Sequence, residues 1–225
     1  MEGLYNTFRI KLALTPMAYL RSFHEQVNWK SRLVCIMGQK GVGKSTMILQ
    51  HIKKYDNPEE TLYVTADNMY FAGHTLYELA GMFFAQGGKR LYIDEIHKYK
   101  GWSTEIKNIY DDFPTLCVVY SGSSLLALKR GNKADLSRRS VPYEMPGLSF
   151  REYLNIRNGW SLKTSALEEI LHGKVDFPEG EHRPLKYYKE YCTDFTLFLK
   201  REMPKYVCRM RFWPLWKMIS RTMRI

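Results

Sequence analysis

The sequence lacks any apolar run near the 18 residues that would indicate a membrane-spanning helix, and its first residues do not resemble a signal peptide. It has only four cysteines, and their spacing fits neither a metal-binding pair nor a disulfide framework. Internal repeats and low-complexity tracts are absent as well. We therefore expect a cytoplasmic protein with no membrane partner and with free thiols at Cys35, Cys117, Cys192 and Cys208.

Acidic residues are few relative to basic ones: 23 Asp and Glu stand against 34 Lys and Arg, for a formal net charge of +11. Such a balance indicates a nucleic-acid or anionic partner. However, residues 192–225 contain eight Lys and Arg and two Asp and Glu, so this segment alone carries +6. The remaining charge is scattered and partly needed to hold a triphosphate. A nucleic-acid partner therefore stays an alternative only.

The most informative segment present is a Gly-x-x-x-x-Gly-Lys-Ser phosphate-binding loop. An apolar, β-prone run at 32–37 precedes it and a helical pattern follows it, which is the context that this motif requires. Glycines let backbone N–H groups surround phosphate oxygens, and the helix presents its positive end to them. The predicted nucleotide-binding residues are Gly38, Gln39, Lys40, Gly41, Val42, Gly43, Lys44, Ser45 and Thr46.

Within this loop, Lys44 is predicted to reach the β- and γ-phosphates of ATP, and the Ser45 hydroxyl to bind Mg²⁺. A second signal lies some fifty residues further on, where the apolar run Leu91–Ile93 ends in Asp94 and Glu95. Ligands bind at the carboxyl edge of parallel sheets. We therefore predict that Asp94 holds Mg²⁺ and that Glu95 is the general base that activates water.

Five further residues, at three places in the chain, are candidates with strong alternatives. Ser121 or Ser123, with Ser123 preferred, could orient water or sense the γ-phosphate, although a simple Ser/Gly turn fits nearly as well. Arg138 or Arg139 could stabilise charge on the γ-phosphate, in cis or across a subunit interface, or belong to a solvated basic turn. His97 is interpreted as a hydrogen-bonding or packing residue.

Strands and helices alternate through the middle of the chain, which predicts an α/β fold with a parallel, doubly wound sheet. The predicted strands are 33–37, 61–65, 90–94 and 116–120, and the predicted helices are 45–54, 75–87 and about 103–112. Residues 1–30 form a predicted helical segment and 31–148 the nucleotide-binding core. Capping boxes at Ser149 and Ser165 open a small, partial α-helical lid over 149–191.

A series of short phrases lies along the chain in a specific order and spacing: Trp29, the loop Gly38–Thr46, Leu62-Tyr63-Val64, Asp67-Asn68, Tyr92 to Tyr99, Trp102-Ser103, Ser121 to Ser124, Asp135 to Arg139 and Gly147 to Leu154. Together they resemble prokaryotic AAA-type ATP-binding proteins, which usually continue into a DUF4143 C-terminal region. The resemblance covers about residues 1–190. It implies an AAA+-like P-loop NTPase fold, ATP with Mg²⁺ as cofactors, and ATPase activity with Glu95 as the base.

Residues 192–225 break this pattern, because no helical or strand period runs through them. Reading the codons of Tyr191 to Phe198 in a shifted frame permits Leu-Tyr-Gly-Phe-Tyr-Pro-Phe, a phrase of the type that the family shows there. We therefore interpret 192–225 as an aberrant tail, produced by a frameshift near codon 191 or disordered. The coding DNA downstream of that codon tests this interpretation.

The sequence thus favours an ATP-binding protein that hydrolyses ATP with Mg²⁺. One alternative is a nucleotide-dependent switch or assembly module with little turnover, including self-association through Arg138 or Arg139. Another is a DNA-linked ATPase that lacks its C-terminal effector region. Phosphate release separates the first alternative from hydrolysis, and salt-sensitive DNA binding tests the second.

Overall fold

A computed structural model of the protein describes residues 1–123, 136, 138–166, 168–169, 172, 187–188 and 190–192. The chain divides into two units, Met1–Leu148 and Ser149–Ile225. Among the described residues, no helix combines the length and the apolar character needed to span a bilayer. Cys35, Cys117 and Cys192 form no disulfide in the described part of the chain, as the sequence predicts, whereas Cys208 and the tail 193–225 lie outside the described residues.

A five-stranded, wholly parallel sheet with the order β2-β3-β4-β1-β5 organises the first unit. Its central strands are short runs of buried apolar residues, as expected for a parallel sheet covered on both faces. This confirms the predicted fold class. The strands are β1 Leu33–Met37, β2 Thr61–Thr65, β3 Arg90–Asp94, β4 Cys117–Gly122 and β5 Val141–Glu144.

Helices flank the sheet and connect its strands. The N-terminal helix packs on β2 and on the helix that follows β1, while the third and fourth helices pack on each other. After the first helix the chain runs through an irregular segment that contains Pro16 and through a 3₁₀ turn at Ser22–Gln26 before it enters β1. In the described part of the first unit, the α-helices are α1 Glu2–Leu14, α2 Lys44–Tyr55, α3 Leu76–Ala85 and α4 Trp102–Asp112.

Two predicted capping boxes are confirmed. At the start of α3, the Thr75 hydroxyl accepts from the Glu78 N–H at 3.0 Å and the Glu78 carboxylate accepts from the Thr75 N–H at 2.9 Å. Ser149 and Glu152 make the same reciprocal pair before α5, Phe150–Asn158, in the second unit. Each pair satisfies backbone donors that a helix start leaves open. The helix predicted after Ser165 falls largely outside the described residues.

The strand β5 is absent from the sequence-based prediction. It pairs with β1 at the sheet edge, contains Pro142, and is mostly exposed to solvent. Proline cannot donate to a ladder, so strands that contain it occupy edges and show little apolar patterning. This strand matters for the site because its end meets the loop after β1: the Met145 N–H donates to the Met37 carbonyl at 2.7 Å.

Candidate nucleotide site

The phosphate-binding loop connects β1 to α2 at the carboxyl edge of the sheet, as predicted. Two of its glycines are required by the local geometry. A side chain at Gly38 would come within 2.7 Å of the Met145 carbonyl oxygen, and Gly43 has φ +97, which L side chains rarely adopt. The sequence therefore places glycine where the chain approaches β5 closely and where it turns into α2.

Lys44 begins α2 and is almost fully buried. Its ammonium donates to the carbonyl oxygens of Gly38 at 3.0 Å and Gln39 at 2.9 Å, so the side chain folds back over the loop. Burial lowers the pKa of Lys44, while the nearby carboxylates of Glu95 and Asp94 act in the opposite direction. The loop thus holds a positive charge that is largely removed from water, and this charge favours the binding of a negatively charged phosphate.

Asp94, at the end of β3, is 2% exposed and accepts hydrogen bonds from several donors. The hydroxyls of Ser45 and Ser121 both donate to its carboxylate. Tyr63 Oη donates to it at 2.7 Å and the Glu95 N–H at 3.0 Å. The structure therefore brings the two predicted metal ligands, Ser45 and Asp94, into direct contact, although they come from different strand ends.

Ser45 and Asp94 supply hard oxygen atoms of the kind that Mg²⁺ prefers. Within the described ranges, no group of three or more His, Cys, Asp or Glu side chains could hold a metal. A Mg²⁺ ion at Ser45 and Asp94 would thus need further oxygens from nucleotide phosphates and water. This donor set fits Mg²⁺, which binds through one or two carboxylates together with substrate phosphates.

Tyr63 contributes to this site although the sequence gives little sign of it. It stands within the apolar run of β2 and is 3% exposed. Burial, followed by the charge of Asp94, raises the pKa of Tyr63, so the phenol stays protonated and can donate. A buried tyrosine hydroxyl normally needs a partner, and the neighbouring strand end at Asp94 supplies it.

Glu95 follows Asp94 in a left-handed backbone conformation, with φ 54 and ψ 36. It is the one non-glycine residue with positive φ among the described residues. Its carboxylate lies 3.5 Å from His97 Nε2 and 3.9 Å from Lys98 Nζ. Strained backbone at a residue beside a binding loop is often part of a functional arrangement.

The two candidate serines at the end of β4 have different surroundings: Ser121 lies within the strand and Ser123 just after it. Because β4 lies between β1 and β3, its end is placed between the phosphate loop and Glu95. Ser121 is fully buried on Asp94. Ser123 is half-buried, and its Oγ lies 3.3 Å from His97 Nε2. Both serines therefore lie at the site, but only Ser123 remains partly accessible.

The structure does not bring the predicted arginines to the loop of the same chain. Both precede β5, which runs parallel to β1, so they lie at the amino edge of the sheet, opposite the loop. The guanidinium of Arg139 binds Asp111 at the end of α4 through two hydrogen bonds of 2.9 and 3.0 Å. Arg138 is exposed. A role in cis is therefore not supported by this geometry, and a role across a subunit interface stays a prediction.

Arg21 is a site residue that sequence reasoning missed. It is 7% exposed and lies in the segment between α1 and β1. Its Nη1 donates to the Val42 carbonyl in the loop at 2.7 Å, and its Nη2 donates to the Gly147 carbonyl at 3.0 Å. Arg21 thus connects the phosphate loop to the segment after β5. No local sequence pattern marks it, because its acceptors are distant in the chain.

The parallel sheet, the glycine loop between β1 and α2, and the acidic pair at the end of β3 define a P-loop NTPase. Residues 30–154 match the AAA domain family, which is more than half of the chain. The protein therefore belongs to the AAA domain family. This confirms the family expected from the sequence and supports a nucleotide-binding protein of the ATPase type.

Among curated proteins, the chain is 26% identical over 190 residues to an uncharacterized protein of Methanocaldococcus jannaschii, covering 80% of this chain and 38% of the relative. It is also 26% identical over 160 residues to the Ras-related protein Rab-21 of Geodia cydonium, covering 61% of this chain and 65% of that protein. The chain thus spans less than two thirds of the length of either relative.

Two solved structures show weaker likeness. The closed state of Hsp104 with ATPγS and FITC casein aligns with a TM-score of 0.47 and 20% identity, over 75% of this chain and 34% of that one. PCH-2 of C. elegans aligns with a TM-score of 0.37 and 16% identity, over 79% and 50% of the two chains. The family assignment rests on the sequence match.

Proposed function

We propose that this protein binds ATP together with Mg²⁺ on the loop Gly38–Thr46 and hydrolyses it to ADP and phosphate. The observation that carries the proposal is the contact between the Ser45 hydroxyl and the Asp94 carboxylate, with Glu95 next in the chain. Phosphoryl transfer to water requires a loop that binds phosphate, oxygen ligands for Mg²⁺ and a carboxylate that acts on the water. These groups lie together at one edge of the sheet.

Each residue has a role that follows from its surroundings. The Lys44 ammonium, now on two loop carbonyls, exchanges them for the β- and γ-phosphate oxygens of ATP. When bound, Mg²⁺ would be held by Ser45 and Asp94 and would neutralise charge on the phosphates. Tyr63 and Ser121 hold the Asp94 carboxylate in place through their hydroxyls.

Glu95 is proposed as the general base. Its carboxylate is partly accessible, with 22% of the side chain exposed, so it can receive a proton from water at the site. Asp94 is unsuited to this role because it is buried and its oxygens are occupied by four donors. The two adjacent carboxylates therefore divide the work between ligand binding and base chemistry.

Nucleotide binding is tested by titrating ATP with Mg²⁺ into the full chain and into Lys44→Ala. Without the ammonium, ATP loses a charged hydrogen-bond donor, and such a bond contributes about 1.5–3 kcal/mol. We therefore expect about ten- to hundredfold weaker ATP binding. Lys107→Ala is the matched control, since the Lys107 side chain on α4 is 40% exposed and pairs only with Asp111 in the described contacts. Equal affinity of all three proteins would contradict the assigned loop.

Hydrolysis is tested by phosphate release from Glu95→Gln, which keeps the shape of the side chain but removes the base. We expect unchanged ATP binding and at least about a hundredfold slower release, the usual contribution of a general base. Release at the unmodified rate would show that the base is wrongly assigned. ATP binding without release in the unmodified chain would favour the alternative of a nucleotide-dependent switch.

A further inference from the structure

His97 lies between two candidate groups of the site without a role in the chemistry described so far. It is in the 3₁₀ turn Ile96–Lys98 that follows β3, and 18% of its side chain is exposed. Its Nε2 is 3.5 Å from Glu95 Oε2 and 3.3 Å from Ser123 Oγ. One ring nitrogen therefore faces both the proposed base and the serine at the end of β4.

A single nitrogen cannot make two full hydrogen bonds to these groups. With a proton on Nε2, the N–H can be given to the carboxylate of Glu95 or to the hydroxyl oxygen of Ser123, and both distances exceed the usual N–H to oxygen optimum. A hydrogen bond to a carboxylate is the stronger of the two. The carboxylate of Glu95 is therefore the favoured acceptor of the His97 N–H.

The other ring nitrogen argues against a purely packing role for His97. Nδ1 is buried and has no hydrogen-bond partner among the residues that the structure describes. A buried polar atom without a partner is unfavourable, and an apolar side chain of similar size would avoid this penalty. Packing alone would favour an apolar residue at this position, so packing does not explain why position 97 is a histidine.

We propose that His97 is a positioning residue that holds the Glu95 carboxylate. This inference rests on the proposed function of Glu95 as base. The Nε2–H of His97 is given to Oε2 of Glu95, and Oε1 stays available as the proton acceptor.

Two variants of the full chain test this role. In His97→Gln, the terminal amide can supply a donor near the position of Nε2, whereas His97→Leu has similar bulk and no donor. We expect His97→Leu to lower kcat about tenfold or more with ATP affinity within about twofold of the unmodified chain, and His97→Gln to restore kcat to within about threefold. Equal kcat for the two variants would overturn the inference.

Glu95→Gln, measured alongside, separates this inference from the proposed function. A slow Glu95→Gln together with a His97→Leu variant of unmodified kcat would overturn the role of His97 and leave the base assignment intact. A fast Glu95→Gln would instead remove the base assignment, and with it the positioning role. Absence of ATP turnover in the unmodified chain would contradict both.

Discussion

Replacing Arg21 by methionine should destabilise the first unit strongly. The guanidinium is buried and donates to the carbonyl oxygens of Val42 at 2.7 Å, Gly147 at 3.0 Å and Pro146 at 3.2 Å. Methionine keeps most of the apolar stem, so the change removes mainly the donors. The three acceptors would then lie in a partly buried place without the charged group that satisfies them.

The magnitude follows from the number of these bonds. Three hydrogen bonds from this donor, each worth about 1–1.5 kcal/mol net because two of them are only partly buried, give a loss of about 3–4.5 kcal/mol in the free energy of unfolding. Because Val42 belongs to the phosphate loop, the loop also loses an anchor. Without this anchor the loop must be ordered when ATP binds, and that ordering costs free energy. We therefore expect ATP affinity to fall about tenfold.

Urea unfolding followed by circular dichroism measures this change, with similar slopes required for the comparison. Arg9→Met is the matched control, because Arg9 is 64% exposed and pairs with Glu59 at 3.7 Å on the surface. Such pairs contribute under about 1 kcal/mol. A loss for Arg21→Met no larger than that for Arg9→Met would refute the account of Arg21.

Three further predictions concern stability. Tyr63→Phe removes one donor to the Asp94 carboxylate and should lower the free energy of unfolding by about 1–3 kcal/mol, measured in urea. Glu95→Gly should be more stable than Glu95→Ala by about 1 kcal/mol in the same assay, because glycine relieves the left-handed backbone; equal stability would contradict the strain. Burial, aided by His24 and Arg90, lowers the pKa of His51 from 6.5 to about 3. The unfolded chain then binds the extra proton, so stability should fall as pH drops from 6.5 towards 3, by about 1.4 kcal/mol per pH unit, and His51→Gln should flatten this slope in unfolding measured against pH.

Much of the fold could be predicted from local patterns. The strands Leu33–Met37, Thr61–Thr65 and Arg90–Asp94 agree with prediction to the residue, because each is a short apolar run between turn or helix signals. Thr75 and Ser149 mark helix starts through contacts that span only three residues. Where sequence neighbours determine the structure, sequence reasoning succeeds.

The remaining features depend on contacts between distant parts of the chain. The sequence offers Ser121 and Ser123 as alternatives with Ser123 preferred, and only the pairing of β4 with its neighbours shows that Ser121 lies on Asp94 and Ser123 beside His97. Arg21 shows the same limit, since its acceptors follow it by 21 to 126 residues. Such contacts follow from topology, which local patterns do not contain.

The most direct test of the account is the identity of the nucleotide that the protein retains after incubation with ATP and Mg²⁺ and rapid removal of free ligand. The unmodified chain should retain ADP, Glu95→Gln should retain ATP, and Lys44→Ala should retain neither. Retention of ATP by the unmodified chain, or of ADP by Glu95→Gln, would contradict hydrolysis with Glu95 as the base.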